Sequence, residues 1–292
     1  MVSTGLTLEV TSEQRAKSKL TKEEWREYTK TVWHIANTTD QLHPAVFPIE
    51  IPRRLVKLFS FYGETVLDPF AGVGTTGLAA AELGRRSICI DQNRRYVARL
   101  IADRASLNGA AHLLEARPGD ARDLSLIRDN SIGLAITSPP YWNKAHYGDG
   151  ADNLGATRGY LSFIESLRPA FEEVYRTLSP GRKLAVVTAN VNQHTDHGLL
   201  TFPLAADIIV LLRTIGFVLV NEIIWSKDGT GGRWGSANSQ RPIFGSYPYP
   251  PNFLFKNVHE YIIIVAKPPT KKTTARTVVP YEMIMREPGR MG

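Results

Sequence analysis

Between Glu64 and Gly109 the chain alternates short apolar runs with longer runs of helical spacing, joined at glycines. "ETVLDPF" reads as a strand, "AGVGT" as a glycine turn, and "TGLAAAELG" as a helix ended by Gly84. "RRSICID" reads as a second strand and "RYVARLIADRASLNG" as a second helix ended by Gly109. Strands separated by helices cannot be joined as tight hairpins. They pair in parallel, and the crossover helices cover both faces of the sheet. The alternation continues. "HLLEARPGDARDL" holds a short strand and a loop, "SIGLAITSPPY" a strand, and "YLSFIESLRPAFEEVYRTLSPGR" a helix and a turn. "KLAVVTAN" is a strand, "FPLAADIIVLLRTIG" a helix, and "FVLVNEIIWSK" and "HEYIIIVAKP" are strands. No helical pattern separates the last two, which predicts an antiparallel pair.

A length of 292 residues suits one large α/β domain, or one domain with a small appendage. The formal net charge of +7 favours an anionic partner, such as nucleic acid or a membrane surface. The single cysteine, Cys89, excludes an intrachain disulfide and a multi-cysteine metal site, and no metal is expected. "MVSTGLTLEV" lacks the basic start and apolar core of a signal peptide. "IIVLLRTIGFVLV" is broken by Arg213 and Gly216 and is too short to span a bilayer. The expectation is a soluble, cytoplasmic-type protein with no membrane partner.

Residues 1–40 read as a polar, peripheral segment. Within it Leu20, Trp25, Tyr28 and Val32 have helical spacing, and Thr21 with Glu24 forms a capping signal. In "HPAVFPIEIPRRLVKLFS" the prolines predict extended chain, then an amphipathic helix over Ile51 to Phe59. Two long stretches do not fit the alternation: 143–159 and 228–257, both rich in Gly, Asn, aromatics and Arg. Long irregular loops in a compact domain are usually functional or disordered. The tail, 268–292, is basic and reads as partly flexible.

Gly72, Gly74 and Gly77 lie between a strand and a helix, where glycine allows a sharp turn and a close ligand approach. Asp91 closes the next strand, about twenty residues on, where a carboxylate can take both ribose hydroxyls or cap the helix that follows. Asp120 closes the third strand-like segment and can accept from an adenine amino group or cap a turn. With Asp68, successive strand ends carry three acids. In open parallel sheets that edge is the ligand site. Three acids would repel a pyrophosphate but suit a positively charged nucleoside such as S-adenosylmethionine.

"DPFAGVGTTGLAAAELGRRSICIDQNRRYV", "GDARDL" and "TSPPYW" together resemble the amino-group DNA methyltransferases, which methylate the exocyclic nitrogen of cytosine or adenine. "HPAVFPIEIPRRLVKLFS" and "HEYIIIVAKP" resemble the segments at the two ends of that domain, so the likeness covers roughly 30–267. It implies a Rossmann-like α/β fold, with a mostly parallel seven-stranded sheet and an antiparallel last strand. The catalytic domain would run from 41 to 267, with a cofactor half over 43–120 and a catalytic half over 137–267. The loops 143–159 and 228–257 would recognise the target. S-adenosylmethionine would be held by Asp68, Phe70, Gly72, Gly74, Thr75, Asp91, Asp120 and His43. In the subgroup whose glycine turn is most similar, the "PPY" block usually comes first. Here it comes second, which looks like a circular permutation.

"TSPPYW" explains itself in this setting. Proline cannot donate to a ladder, so the strand stops there. A base amine is a poor nucleophile, because its lone pair is delocalised into the ring. Acceptors around the nitrogen orient that lone pair. Ser138 supplies a hydroxyl, Pro139 a carbonyl, and Pro140 stiffens the turn. Tyr141 would stack on a base flipped out of the duplex, and Trp142 would wall the pocket. With stacking the main role of the ring, Tyr141→Phe is expected to be mild. In this family Ser at the first position usually marks cytosine N4, and Asp or Asn marks adenine N6. The reading is therefore a cytosine-N4 enzyme, with an adenine-N6 enzyme as the alternative and an RNA N-methyltransferase less favoured. Ring-carbon methylation would need a cysteine nucleophile, and Cys89 lies inside a strand pattern. Trp142, His146, Tyr147, Arg233, Trp234 and Arg241 are the candidate DNA contacts. Duplex DNA is the expected partner, with a separate cognate restriction nuclease also considered. A monomer or homodimer at the prokaryotic nucleoid completes the expectation.

Overall fold

The computed structural model describes residues 10–43, 46–142, 154–157, 159–227 and 257–269. The chain opens with two short helices, α1 (Ser12–Lys17) and α2 (Lys22–Tyr28), and a strand, β1 (Val32–His34). The Thr21 hydroxyl accepts the Glu24 amide, and the Glu24 carboxylate accepts the Thr21 amide, so the predicted capping box starts α2. Then come α3 (Glu50–Phe59), β2 (Thr65–Asp68), α4 (Thr75–Glu82), β3 (Arg86–Asp91), α5 (Arg94–Asp103) and β4 (Leu114–Pro118). The second half holds β5 (Ile132–Thr137), α6 (Tyr160–Ser166), α7 (Arg168–Thr177) and β6 (Leu178–Thr188). It continues through β7 (Val191–Thr195), β8 (Gly198–Phe202), α8 (Leu204–Ile215), β9 (Val218–Ser226) and β10 (His259–Ala266).

Eight strands form one mixed sheet in the order β1-β9-β10-β6-β5-β2-β3-β4. The predicted seven-stranded sheet is therefore corrected to eight. The additional strand is β1, which pairs in parallel with β9, with Trp33 opposite Trp225. It was hidden because three residues are too short for a periodicity, and Val32 reads equally well as the end of the preceding helical pattern. Burial of Trp33, 1% exposed, holds it in place, as does a 2.8 Å hydrogen bond from Trp225 Nε1 to the Ile35 carbonyl. The predicted antiparallel last strand is observed: β10 runs against both β6 and β9.

The order places a switch between β2 and β5. From β2 the chain winds outward through β3 to β4, and from β5 it winds the other way to β6. All residues of β5 are buried, and its side chains serve two cores, with a register shift between Ile132 and Leu134. Ile132 and Ala135 join the core under α6, α7 and α8, while Leu134 and Ile136 join the core with Trp33, Ile51 and Leu55.

Other details differ from expectation. The helical run over 160–177 is broken at Leu167, with Pro169 in the first turn of α7, where its missing N–H costs nothing. α5 stops at Asp103 and not at Gly109. Tight 3₁₀ turns follow, and Asn108 takes a positive φ of 48°. The β7–β8 hairpin was not foreseen. No helix of the described residues is long and apolar enough to cross a membrane.

Trp33→Ala should destabilise the domain by about 3–5 kcal/mol, because it empties a fully buried aromatic site. Urea unfolding measures this. A loss below about 1 kcal/mol would mean that β1 is a detachable edge.

Candidate active site

The carboxyl ends of β2 and β5 meet at the switch with β3 beside β2, and Asp68, the Gly72–Gly74 turn, Asp91 and Ser138 lie at or directly beyond these ends. Asp68 ends β2 and is buried. The Thr137 hydroxyl at the end of β5 donates to its Oδ1 at 2.7 Å, and the Phe70 amide donates to the same oxygen at 3.2 Å. Burial pushes the Asp68 carboxyl up to about 6, against the hydrogen bonds that favour its ionised form. Asp91 ends β3. Its Oδ2 accepts the Gly72 amide at 2.7 Å and its Oδ1 accepts the Asn93 amide at 2.8 Å. Burial raises it as well. The partners of both carboxylates are neutral donors, so no countercharge offsets the cost of desolvating them.

The turn between β2 and α4 is built around glycine for steric reasons. Gly72 has φ +53°, and a Cβ there would lie 2.8 Å from His43 Nε2. Gly74, φ +86°, precedes Thr75 at the start of α4, and a Cβ there would lie 2.2 Å from a Leu100 methyl. The His43 ring is thus brought onto the glycine turn, where it also meets Tyr96 at 4.7 Å. Burial lowers the His43 pKa and favours the neutral imidazole. Phe70 packs on the core beside the turn. Asp120 is placed differently. It is clasped by its own neighbour, Arg122, whose guanidinium donates to both carboxylate oxygens at 2.6–3.0 Å. Burial would raise Asp120, but the Arg122 contacts hold it below the usual range.

Beyond β5, Ser138, Pro139 and Pro140 follow directly from Thr137. Tyr141 is 8% exposed and packs on the core, with its hydroxyl donating to Glu260 Oε2 at 2.9 Å. That bond makes Tyr141→Phe a costlier change than the ring face alone implies. Trp142 donates from Nε1 to the Thr157 carbonyl at 3.1 Å and meets the rings of Tyr160 and Phe202 at 5.3 and 4.8 Å. Tyr160 in turn donates to Asp207 at 2.5 Å. Glu260, Lys227, Tyr160 and Phe202 were not singled out from the sequence. The available signal for two of them was an opposite charge at the end of β9 and the start of β10, which an antiparallel pair brings to one end. His146, Tyr147, Arg233, Trp234 and Arg241 lie outside the described residues. Cys89 is buried within β3, and burial pushes its thiol well up, away from nucleophilic character.

This geometry is matched by a sequence comparison. The model of the DNA methylase family of amino-group methyltransferases matches residues 6–103 and 132–286. The chain belongs to that family. An 80-residue stretch of the chain is 49% identical to the type II methyltransferase M.MjaI of Methanocaldococcus jannaschii, over 25% of this chain and 26% of that protein. Another comparison gives 30% identity over 145 residues to the type II beta methyltransferase M.BslI of a Bacillus species, 47% of this chain and 15% of that one. The chain spans about a quarter of the length of the first relative and less of the second. Among solved structures, a Thermus thermophilus protein described as a DNA modification methylase, in complex with S-adenosyl-L-methionine, is 33% identical over 54% of this chain and 57% of its own, with a TM-score of 0.39. The [4+2]-cyclase SpnF, 18% identical over 81% of this chain and 88% of its own, has a TM-score of 0.50, a likeness of fold.

The Asp68 carboxyl should leave a signature in stability. Its folded pKa lies above the ordinary 3.8, so its contribution is fully present below 3.8 and is lost as pH rises through about 6. Asp68→Asn, which keeps an acceptor for Thr137, should remove a loss of about 3 kcal/mol between pH 4 and 7. Urea midpoints of the two proteins across that range measure it. Parallel pH profiles would contradict the assignment.

Proposed function

We propose that this DNA methylase transfers a methyl group from S-adenosylmethionine to the exocyclic N4 of cytosine in duplex DNA, with the target base flipped out of the stack. The observation that carries the reading is the Thr137–Asp68 hydrogen bond. It sets Ser138 and Pro139 directly beside a buried acidic strand end.

The residues fit the cofactor. One buried and one half-buried carboxylate, held by neutral donors, form a negative site that a ligand carrying an ammonium and a sulfonium would relieve. The tight turn at Gly72 and Gly74 lets backbone approach that ligand, and His43 closes its outer side. Asp91 retains lone pairs for ribose hydroxyls beyond its two amide bonds. An adenine contact at Asp120 would share the carboxylate that Arg122 holds.

When bound, S-adenosylmethionine supplies an electrophilic methyl whose transfer leaves a neutral thioether. The protein's part is orientation. The Ser138 hydroxyl and Pro139 carbonyl would accept from the amine, hold its lone pair in line and stabilise its growing positive charge; as the N–C bond formed, the sulfonium S–C bond would break and the amine's surplus proton would leave to solvent. Prolines 139 and 140 keep these acceptors fixed and bring no competing amide. Tyr141 lines the base site and stacks once the base enters, while the Trp142–Tyr160–Phe202 cluster braces its outer wall. The assignment of cytosine over adenine rests on Ser138, and the order of the two halves is read as a permuted arrangement.

The test is to incubate the protein with unmethylated duplex DNA and isotope-labelled S-adenosylmethionine, then digest the DNA and identify the labelled nucleoside by mass and chromatography. N4-methyldeoxycytidine is expected, with Ser138→Ala slower by on the order of a hundredfold at nearly unchanged cofactor affinity. N6-methyladenine would overturn the base assignment. Label on the cytosine ring carbon, no label in DNA, or full activity in Ser138→Ala would overturn the mechanism.

A further inference from the structure

Tyr141, the last member of the acceptor turn, is tied to a charge pair that the methyl-transfer chemistry does not itself require. Glu260 is near the start of β10 and Lys227 directly follows β9. Lys227 Nζ lies 2.5 Å from Glu260 Oε1, and the Tyr141 hydroxyl donates to Glu260 Oε2 at 2.9 Å. The Lys227 and Glu260 side chains are only 8% and 15% exposed. Lys227 also packs its ammonium 4.5 Å from the Trp225 ring centroid, and its amide donates to the Val258 carbonyl at 2.8 Å. Trp225 is itself pinned to the Ile35 carbonyl. A chain of contacts thus runs from β1 through the ends of β9 and β10 to the turn after β5. It crosses over β6, which separates β5 from β10 in the sheet.

A pair this buried adds little to folding compared with apolar side chains of similar volume, because both charges are desolvated. What it does provide is direction. A carboxylate clamped by a lysine is a rigid acceptor, and it fixes both the position and the tilt of the Tyr141 ring. We infer that Glu260 and Lys227 are positioning residues for Tyr141, fixing the place and tilt of its ring at the base-binding turn. The inference rests on the methyltransferase reading above. Lys227 and Glu260 stand at the same end of the β9–β10 pair, and that end reaches Tyr141 through one hydrogen bond.

The test compares Tyr141→Phe, Glu260→Gln, Lys227→Met and the double variant Lys227→Met with Glu260→Gln. Each is assayed for transfer of labelled methyl to unmethylated genomic DNA, for S-adenosylmethionine affinity by calorimetry, and for melting temperature. The single changes should slow turnover by more than about tenfold while cofactor Kd stays within about threefold. The double variant, which leaves no lone buried charge, should recover the wild-type melting temperature yet remain as slow as the singles. Recovery of turnover together with stability would show a merely structural pair and overturn the inference. Wild-type turnover in Tyr141→Phe would overturn it too. A wild-type protein that labels no DNA would instead overturn the methyltransferase reading, and the inference with it.

Discussion

The hydrogen bond from Thr137 to Asp68 joins the two strands between which the sheet changes direction. Every parallel sheet wound outward from a central switch leaves a crevice there, because the crossovers on either side leave in opposite directions. In this chain the crevice is held closed at its floor by one hydroxyl and one carboxylate, both buried. The same bond fixes the spacing between the glycine turn on one side and the serine–proline turn on the other. Each turn follows directly from a residue of the pair: Phe70 and Gly72 after Asp68, Ser138 and Pro139 after Thr137. The cofactor and acceptor halves of the proposed reaction are thus registered by a single contact.

The carboxylate in that contact is costly to bury, and the hydrogen bond offsets only part of the cost. A carboxyl pushed up to about 6 by burial is a cost to the folded state at neutral pH. Asp91 adds a second, half-buried acid at the neighbouring strand end, which desolvation also raises. Folding alone would be better served by neutral side chains at both positions. The arrangement makes sense as a site left electrostatically incomplete, to be completed by a cationic ligand. Strain of this kind concentrates where function needs it and is offset by the apolar core around it. Here the offset comes from β5, whose residues are all buried and serve both cores.

Much of the frame was legible because parallel strands and crossover helices leave strong, long-lived periodicities. The glycine turn, the three strand-end acids, the proline stop and the antiparallel final pair all follow from local chemistry. The features that escaped have local reasons too. β1 is three residues long and half-exposed, so its identity depends on Trp225, far away in the chain. In the β7–β8 hairpin β7 is a polar run, Asn192 to Thr195, and β8 sets Leu199 and Leu200 side by side, so neither strand shows a period of two. Yet its Phe202 reaches the Trp142 ring. Asp120 was read as a ligand contact or a turn cap, and the Arg122 clasp two residues away shows a carboxylate already employed in the turn. The Tyr141–Glu260 bond links residues 119 apart, a pairing that no local pattern encodes.

The central claim is that one buried contact registers both halves of the site. Thr137→Val tests it most directly. The change keeps volume and β-branching and removes only the hydroxyl, at a residue that the proposal places against neither the cofactor nor the base. Measured side by side, S-adenosylmethionine affinity and the rate of methyl transfer to duplex DNA should both fall in a protein that still folds, the rate by on the order of tenfold or more. Wild-type values for both would show that the glycine turn and the serine–proline turn hold their places independently, and would contradict the account.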